Sequence, residues 1–216
     1  MLEGLIETAS RAVHAAVHRV GGVAVAQVVT NVDSTGQGRV QVRFPWLPGI
    51  EPWARVATMM AGSGRGTWFI PQPNDEVLVA FHHGDIREPY VIGSLWNGRD
   101  RPPTAVPSDA VGKRIIRTPA GHEIVLDDQA RSITITSATK QKVSITPTAI
   151  ELATDGNTST VTLQTTGAIA VKSTLSIELK APTITIEGQA VTMKGTAATV
   201  HGEATCTVKG GVVNIN

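Results

Sequence analysis

The sequence is poor in aromatic residues, charged residues and cysteine. Aromatic residues make up 4% of the 216 positions and charged residues 17%, and the formal net charge is +1. A chain this close to neutral has no broad field that would attract nucleic acid or an anionic membrane. Its one cysteine excludes an intrachain disulfide. No apolar run approaches the roughly 18 residues of a membrane-spanning helix.

The few aromatic residues lie in one part of the chain. They are Phe44, Trp46, Trp53, Trp68, Phe69, Phe81, Tyr90 and Trp96. The stretch NGRDRPPTAVPSDAVG that follows is rich in proline, glycine and polar residues, as linkers are. We therefore predict four segments: a short N-terminal helix (1–22), a compact domain with an aromatic core (23–97), a linker (98–112) and a repetitive tail (113–216).

The N-terminal segment has a helical pattern. Its apolar residues recur at spacings of three and four, at Leu2, Leu5, Ile6, Ala9, Val13, Val17 and Val20. The glycine pair at 21–22 is a plain helix stop. The opening MLEGLIE carries acid where a signal peptide carries positive charge, so we expect no export by the general secretory route.

The second segment has the pattern of a small β-barrel. VAVAQVVTNV and RVQVRF alternate apolar and polar residues on either side of the turn sequence DSTGQG, which is typical of a hairpin. Three or four further short strands follow before residue 97. Five or six strands in about 75 residues favour a closed or nearly closed barrel.

Three stretches resemble the spike proteins of contractile injection machines. They are GQGRVQVRFPW, PWARVATMMAGSGRGTWFIPQPNDEVLVAFHHGDIREPYVIGSLWNG and AGHEIVLDD. That family includes phage baseplate assembly protein V and the VgrG proteins of type VI secretion. The resemblance covers about residues 40–128 and implies an OB-fold barrel followed by a β-helix that GHEIVLDD opens. Because no hub-like domain precedes the barrel, it also implies that the baseplate hub is another chain.

The tail repeats short units with a period of two. Near its end the units close on Glu187-Gly188, Lys194-Gly195, His201-Gly202 and Lys209-Gly210, in steps of seven, seven and eight residues. Units this short leave few residues for hairpin loops. We expect the glycines to form sharp corners at positive φ.

One ribbon with one apolar face cannot bury that face alone, so we predict that three chains share it. The fold class predicted is therefore all-β, with the OB barrel followed by an intertwined triple-stranded β-helix in a homotrimer. At about eight residues per strand, the tail would stack roughly thirteen strands over roughly 60 Å. The predicted trimer core consists of Ile184, Ile186, Val191, Met193, Val200, Cys206 and Val208. By the same alternation, Ala198, Val213 and Ile215 are also expected to face inward.

No catalytic, cofactor-binding or metal-binding residue is predicted. The glycine-rich AGSGRGT lacks the Lys-Ser/Thr pair of a phosphate-binding loop. The pairs His82-His83 and Asp127-Asp128 are interpreted as turns at strand ends. Cys206 is interpreted as a small buried apolar residue, with metal binding or oxidation of three axial copies as the alternative.

The resemblance implies a structural protein, a rigid spike driven through a target envelope, and not an enzyme. Expected partners are two further copies, a baseplate hub, a PAAR-type tip protein and, transiently, the target outer membrane. The tip protein would bind the last residues, Val212, Val213, Asn214, Ile215 and Asn216. The spike would be assembled in the cytoplasm into a phage tail or injection particle and delivered to the target cell envelope. The alternatives are a receptor- or glycan-binding trimeric tailspike or adhesin and, less favoured, an OB-fold nucleic-acid binder.

Overall fold

The computed structural model describes residues 20–104, 106 and 109–214. The chain divides into two compact units, one ending at Ala138 and the other beginning at Thr139. Apart from a helical turn, α1 (Asp109–Gly112), and a 3₁₀ turn at Asp155–Asn157, the regular structure of the described residues is β-sheet. The all-β prediction is confirmed. The helix predicted for residues 1–22 lies almost wholly outside the described residues. Among those that are described, none of the helices has the length and hydropathy to cross a membrane.

The first unit contains the predicted closed barrel. Its five strands, in barrel order, are β1 (Val23–Thr30), β2 (Val40–Arg43), β3 (Trp53–Val56), β7 (Asp85–Leu95) and β6 (Glu76–His82). Neighbouring strands pair antiparallel except β3 and β7, which pair parallel. A small hairpin, β4 (Ala61–Gly62) and β5 (Arg65–Gly66), lies in the connection from β3 to β6. This is the OB-type barrel that the resemblance implied.

The barrel core is aliphatic, and the expectation of an aromatic core is wrong. The buried side chains are Ala26, Val28, Val40, Val42, Phe44, Ala54, Val77, Val79, Ile86 and Val91. Phe44 is the one aromatic side chain among them, with the Trp46 and Phe81 rings 5.4 and 5.5 Å from its own. Five short strands enclose a narrow interior, and compact β-branched side chains fill it better than indoles. Trp46, Trp68, Phe69 and Trp96 are instead exposed.

One buried carboxylate organises the loop between β1 and β2. The Asp33 carboxylate accepts hydrogen bonds from the backbone N–H groups of Thr35, Gln37 and Arg39 at 3.0–3.1 Å. The Arg39 guanidinium donates to both carboxylate oxygens at 3.0 and 3.2 Å. These bonds, that of the Arg39 side chain above all, hold the pKa of Asp33 well below its usual value, although burial acts in the opposite direction. The sequence DSTGQG therefore forms a closed turn around a charged centre.

The tail strands up to Ser173 form antiparallel meanders. In the first unit these are β8 (Lys113–Arg117), β9 (Glu123–Asp127) and β10 (Ser132–Thr136). The second unit contains β11 (Lys142–Ile145), β12 (Ala149–Ala153), β13 (Ser159–Gln164) and β14 (Ile169–Ser173). Each strand turns back beside its predecessor within one chain. Several of the turns take left-handed backbone conformations, as at Gly121, Arg131 and Gly167.

Residues 174–214 behave differently. Within this described range there is no helix or strand, and residues 176–214 make no backbone–backbone hydrogen bond to any described residue. Their apolar side chains are exposed, Leu175 by 96% and Val208 by 72%. This part of the chain has no core of its own.

Three of the four corner glycines, Gly195, Gly202 and Gly210, are confined by steric crowding, and the expectation of positive φ is wrong for all four. None of Gly188, Gly195, Gly202 and Gly210 has φ in the left-handed region. A Cβ added at Gly202 would instead lie 2.4 Å from the carbonyl oxygen of Thr205, and one at Gly210 would lie 3.1 Å from that of Val212. At Gly202 the chain folds back so closely that a side chain has no room, whereas at Gly188 the nearest atom, the carbonyl oxygen of Ala190, would be at an ordinary contact distance of 3.5 Å.

Replacing Gly202 with alanine should therefore destabilise the tail, since the new Cβ forces the backbone at Thr205 to move. We expect a cost of about 1–3 kcal/mol per chain, the usual range for overpacking. The temperature at which the assembled protein dissociates in detergent should fall. Gly211→Ala is the matched control, because a Cβ there meets nothing within 4 Å. Equal dissociation temperatures for the two variants would contradict this account.

Asp33→Asn should loosen the β1–β2 loop at neutral pH by removing the charge to which three amides and Arg39 donate. Because the folded-state pKa is lowered, the stabilisation is complete above the ordinary pKa near 4 and is lost as the pH falls below it. Amide exchange in residues 33–39, corrected for intrinsic rate, should be several-fold faster in the variant at pH 7, and the difference should shrink steadily as the pH falls below about 4. Asp128→Asn, at an exposed site outside the barrel, is the control. Unchanged exchange at pH 7 would refute the role of Asp33.

Candidate trimer interface

The meander of the first unit has one apolar face. Alternate residues of each strand point to the same side, and the registers Ile116↔Ile124 and Leu126↔Ile133 place apolar side chains next to one another. The apolar residues of this face are Ile116, Ile124, Leu126, Ile133 and Ile135, all exposed in the protomer, and the exposed Arg114 lies at its edge beside Leu126. Apart from Ile115 and Val125, the opposite face is polar. It contains the pair Arg117–Glu123 and the contact of Lys113 with Asp109 at 3.0 Å.

The second unit has a larger face of the same kind. Its strand registers align two apolar rows, Ile145–Ile150–Leu163–Ile169 and Val143–Leu152–Val161–Val171. Six of these eight side chains are exposed, Ile169 by 70%. The opposite face carries Lys142, Glu151, Thr160, Thr162 and Lys172. The sheet is a single layer, and no other element of the unit covers the apolar side.

The exposed apolar area of these two faces is large enough to favour burial against another protein surface. Completing the burial of one half-exposed Val, Leu or Ile contributes about 1 kcal/mol, half of what full burial gives. A contiguous patch of this kind is rare on a protein that functions as a monomer. The two faces, five side chains in one unit and eight in the other, are therefore a candidate surface for association between copies of the chain.

The structure of one protomer leaves the predicted core of the distal tail exposed. Ile184, Ile186, Val191, Met193, Val200, Cys206 and Val208 are all accessible and make no core with one another. Their role in a trimer core stays a prediction. The predicted tip residues Val212, Val213 and Asn214 are also exposed, without regular structure. Ile215 and Asn216 lie outside the described residues. The faces at Val143–Val171 and Ile116–Ile135 were missing from the predicted core, although the period-two alternation that reveals them is present in the sequence.

The candidate chemical groups take part in local structure. The Asp127 carboxylate accepts a hydrogen bond from the Ala130 amide at 2.8 Å, as in a turn. The His82 ring pairs with Glu88 at 2.8 Å, and the glycine-rich loop forms the β4–β5 hairpin. Over residues 20–104, 106 and 109–214, no three potential metal ligands lie close enough together to hold an ion. The geometry that stands out in the protomer is apolar and repetitive.

Two family models match the chain. The "type VI secretion system/phage-baseplate injector OB domain" matches residues 24–96, which contain the barrel. The "phage baseplate V C-terminal trimerisation domain" matches residues 113–192, which contain both apolar faces. Together they cover more than two thirds of the sequence. The second match supports a homotrimer.

The chain is also similar to curated spike proteins. It is 35% identical over 106 residues to the type VI secretion system spike protein VgrG3 of Vibrio cholerae, an alignment covering 44% of this chain and 10% of that protein. Identity to spike protein VgrG2a of Pseudomonas aeruginosa is 32% over 124 residues, 50% of this chain and 15% of that protein. The actin cross-linking toxin VgrG1 of Vibrio cholerae is 34% identical over 104 residues, 43% of this chain and 9% of the toxin.

The alignments thus span only 9–15% of the length of these relatives. The two family models match the barrel and the tail through residue 192. The resemblance seen in the sequence is confirmed. The chain belongs to the family of phage baseplate V and VgrG-type spike proteins, structural components of injection machines.

Proposed function

We propose that three copies of this chain entwine into the rigid central spike of a contractile tail or injection machine. The spike links a baseplate hub to a tip protein and is driven through the envelope of a target cell. The observation that carries the proposal is the single-layer tail sheet, which has a continuous apolar face in each unit that no other described element of that unit covers. Three such faces meeting around an axis bury one another.

The distal tail supports the same assembly through its backbone. Residues 176–214 have N–H and C=O groups without backbone partners among the described residues of their own chain. Backbone groups of a folded protein are almost always paired. Winding three chains together would pair them between chains and bury the apolar residues of one parity at the axis. Short repeats gain their stability from stacking in the same way.

The stiffness of the entwined tail would suit it to piercing an envelope. Where strands pair densely between chains, opening any one of them breaks many hydrogen bonds at once, so unfolding is slow. A slim interior of Ile, Val, Ala and Met, without aromatic residues after Trp96, gives a narrow shaft. No catalytic step is needed for a needle pushed by a contracting sheath. The particle would be assembled in the cytoplasm, and the spike would touch the target outer membrane only in passing.

The end of the shaft is proposed to bind a tip protein of the PAAR type. Val212 is 81% exposed and Val213 is also accessible. In a trimer, three copies of each would surround an open layer of strand edges. An edge with apolar neighbours needs a cover, and a small conical protein on the axis would supply it. Residues 212–216 are the proposed contact.

The barrel leaves a second function open to test. Four aromatic side chains of the barrel domain, Trp46, Trp68, Phe69 and Trp96, are exposed. They are therefore available to bind a ligand, because the core does not bury them. Exposed aromatics on an OB barrel can stack on single-stranded nucleic acid. The near-neutral charge of the chain argues against that use. A filter-binding assay with single-stranded DNA at low salt tests this function, and retention of the DNA on the filter would support nucleic-acid binding.

Leu163→Lys should prevent trimer formation, because it would bring three ammonium groups together inside the apolar core. We expect light scattering to give the mass of three protomers for wild type and a smaller or aggregated species for the variant. Thr162→Lys is the control, since Thr162 is the neighbouring residue on the polar face. A trimer that tolerates Leu163→Lys as well as Thr162→Lys would be incompatible with the proposed axis.

Replacing Val212 and Val213 together with serine should abolish binding of a PAAR-type tip protein by removing the apolar rim. The trimer mass should not change, because these residues lie at the end of the shaft. Titration calorimetry measures the first quantity and light scattering the second. Lys209→Ala, at the last corner, is the control. Undiminished tip binding by the double variant would place the contact elsewhere.

A further inference from the structure

The connection between β3 and β6 displays four large apolar side chains that the barrel does not bury. Met59 is 89% exposed, Met60 51%, Trp68 74% and Phe69 66%. We refer to these four residues as the apolar loop cluster. Tryptophan, phenylalanine and methionine are enriched in interface cores, and tryptophan is frequent among the residues that dominate binding energy.

The cluster is held in place by local structure. The Thr67 amide donates to the Met60 carbonyl at 3.0 Å, beside the β4–β5 pairing of Ala61 with Gly66. The Thr58 and Thr67 hydroxyls contact each other. The Trp68 ring lies against Gly38, where an added Cβ would come within 2.9 Å of it. A cleft of about 620 Å³ separates the β1–β2 loop from this connection. The exposed rings are thus presented by ordered backbone.

Strand directions place the cluster at the end of the barrel from which the tail departs. β3 runs parallel to β7, with Val56 beside Val91, and the Ala57 amide donates to the Val91 carbonyl at 2.8 Å. The loop therefore leaves β3 at the end toward which β7 runs, and β7 leads into the linker. The chain enters the barrel at the other end, where the Val20 amide donates to the Gly84 carbonyl.

The linker has exposed apolar side chains of its own. Val106 is 54% and Val111 78% exposed in the protomer. Val111 lies in α1, immediately before β8, the first strand of the trimerisation segment. In a trimer, three linkers and three apolar loop clusters surround the start of the same shaft.

The size of the cluster favours a partner that is already tethered. Its four side chains expose roughly 600 Å², taking about 150–250 Å² for each large ring. A stable free complex buries about 800 Å² on each side. A smaller contact suffices between subunits that the tail holds together, because their effective concentration is about millimolar.

We infer that the apolar loop cluster docks on the linker of the neighbouring protomer, against Val106 and Val111. The inference rests on the trimer of the proposed function but not on piercing or on the tip protein. The contact would fix each barrel to the base of the shaft through two chains, its own linker and that of its neighbour. A force applied to the three barrels would then be transmitted to the shaft without bending the three linkers.

Cross-linking of full-length chains tests the contact. In a Cys206→Ala background, one chain carries Met59→Cys and a second, differently tagged chain carries Val111→Cys. The two are co-expressed so that mixed trimers form. A short bismaleimide should give a covalent dimer containing both tags. As the control, Glu88→Cys replaces Met59→Cys, because Glu88 lies near the entry end of the barrel and its side chain is 61% exposed.

The outcomes separate clearly. A mixed dimer with Met59→Cys, at least tenfold stronger than with Glu88→Cys, supports the contact. No mixed dimer, or equal yields, in particles that light scattering shows to be trimers overturns it and leaves the spike intact. A mass of one protomer would overturn the trimer and this inference together. Cross-linking of Met59→Cys to an added hub protein in place of the neighbour would assign the surface to the hub and overturn the inference.

Discussion

A single layer of β-sheet cannot cover its own apolar face, and this constraint governs the C-terminal half of the chain. From Ile116 to Val171 the strands place isoleucine, leucine and valine on one side and mainly polar residues on the other, with correct antiparallel register. Beyond Leu175 the described residues form no strand, their side chains are exposed, and none of them makes a backbone–backbone hydrogen bond to another described residue. The barrel, in contrast, buries its apolar side chains in its own interior, which consists mainly of valine and alanine. One chain thus combines a domain that folds alone with a tail that requires copies of itself.

Much of the barrel could be predicted from the sequence, because its strands alternate and its turns are punctuated by glycine, asparagine and aspartate. The turn at Asp33 was visible as DSTGQG, although the pairing of Asp33 with Arg39 depends on a loop geometry that spacing alone does not reveal. The role of the aromatic residues was not predictable from their location. Their clustering between Phe44 and Trp96 is consistent with a buried core and with an exposed surface. The interior of a five-stranded barrel is too narrow for most of them, so they lie on the surface.

The tail shows where local pattern stops being informative. A ribbon that folds back on itself and one that pairs with another chain have the same period of two. The signal that separates them is the turn chemistry. Before Ser173 the connections contain full turn sequences such as Pro-Ala-Gly and Thr-Thr-Gly, whereas afterwards a charged residue or histidine and a glycine mark each corner. The corner glycines were recognised, but not their reason, because close approach of a carbonyl oxygen such as that of Thr205 is a property of the folded path.

The lack of backbone hydrogen bonds among the described residues 176–214 has a consequence for biogenesis. While a newly made chain is still alone, its barrel and meanders can fold as synthesis proceeds, but the last forty residues have nothing to fold against. In the proposed trimer, the distal segment would become ordered only after the meanders of three chains had met. Assembly of this kind depends steeply on local concentration, so chains made from one message on neighbouring ribosomes have the advantage.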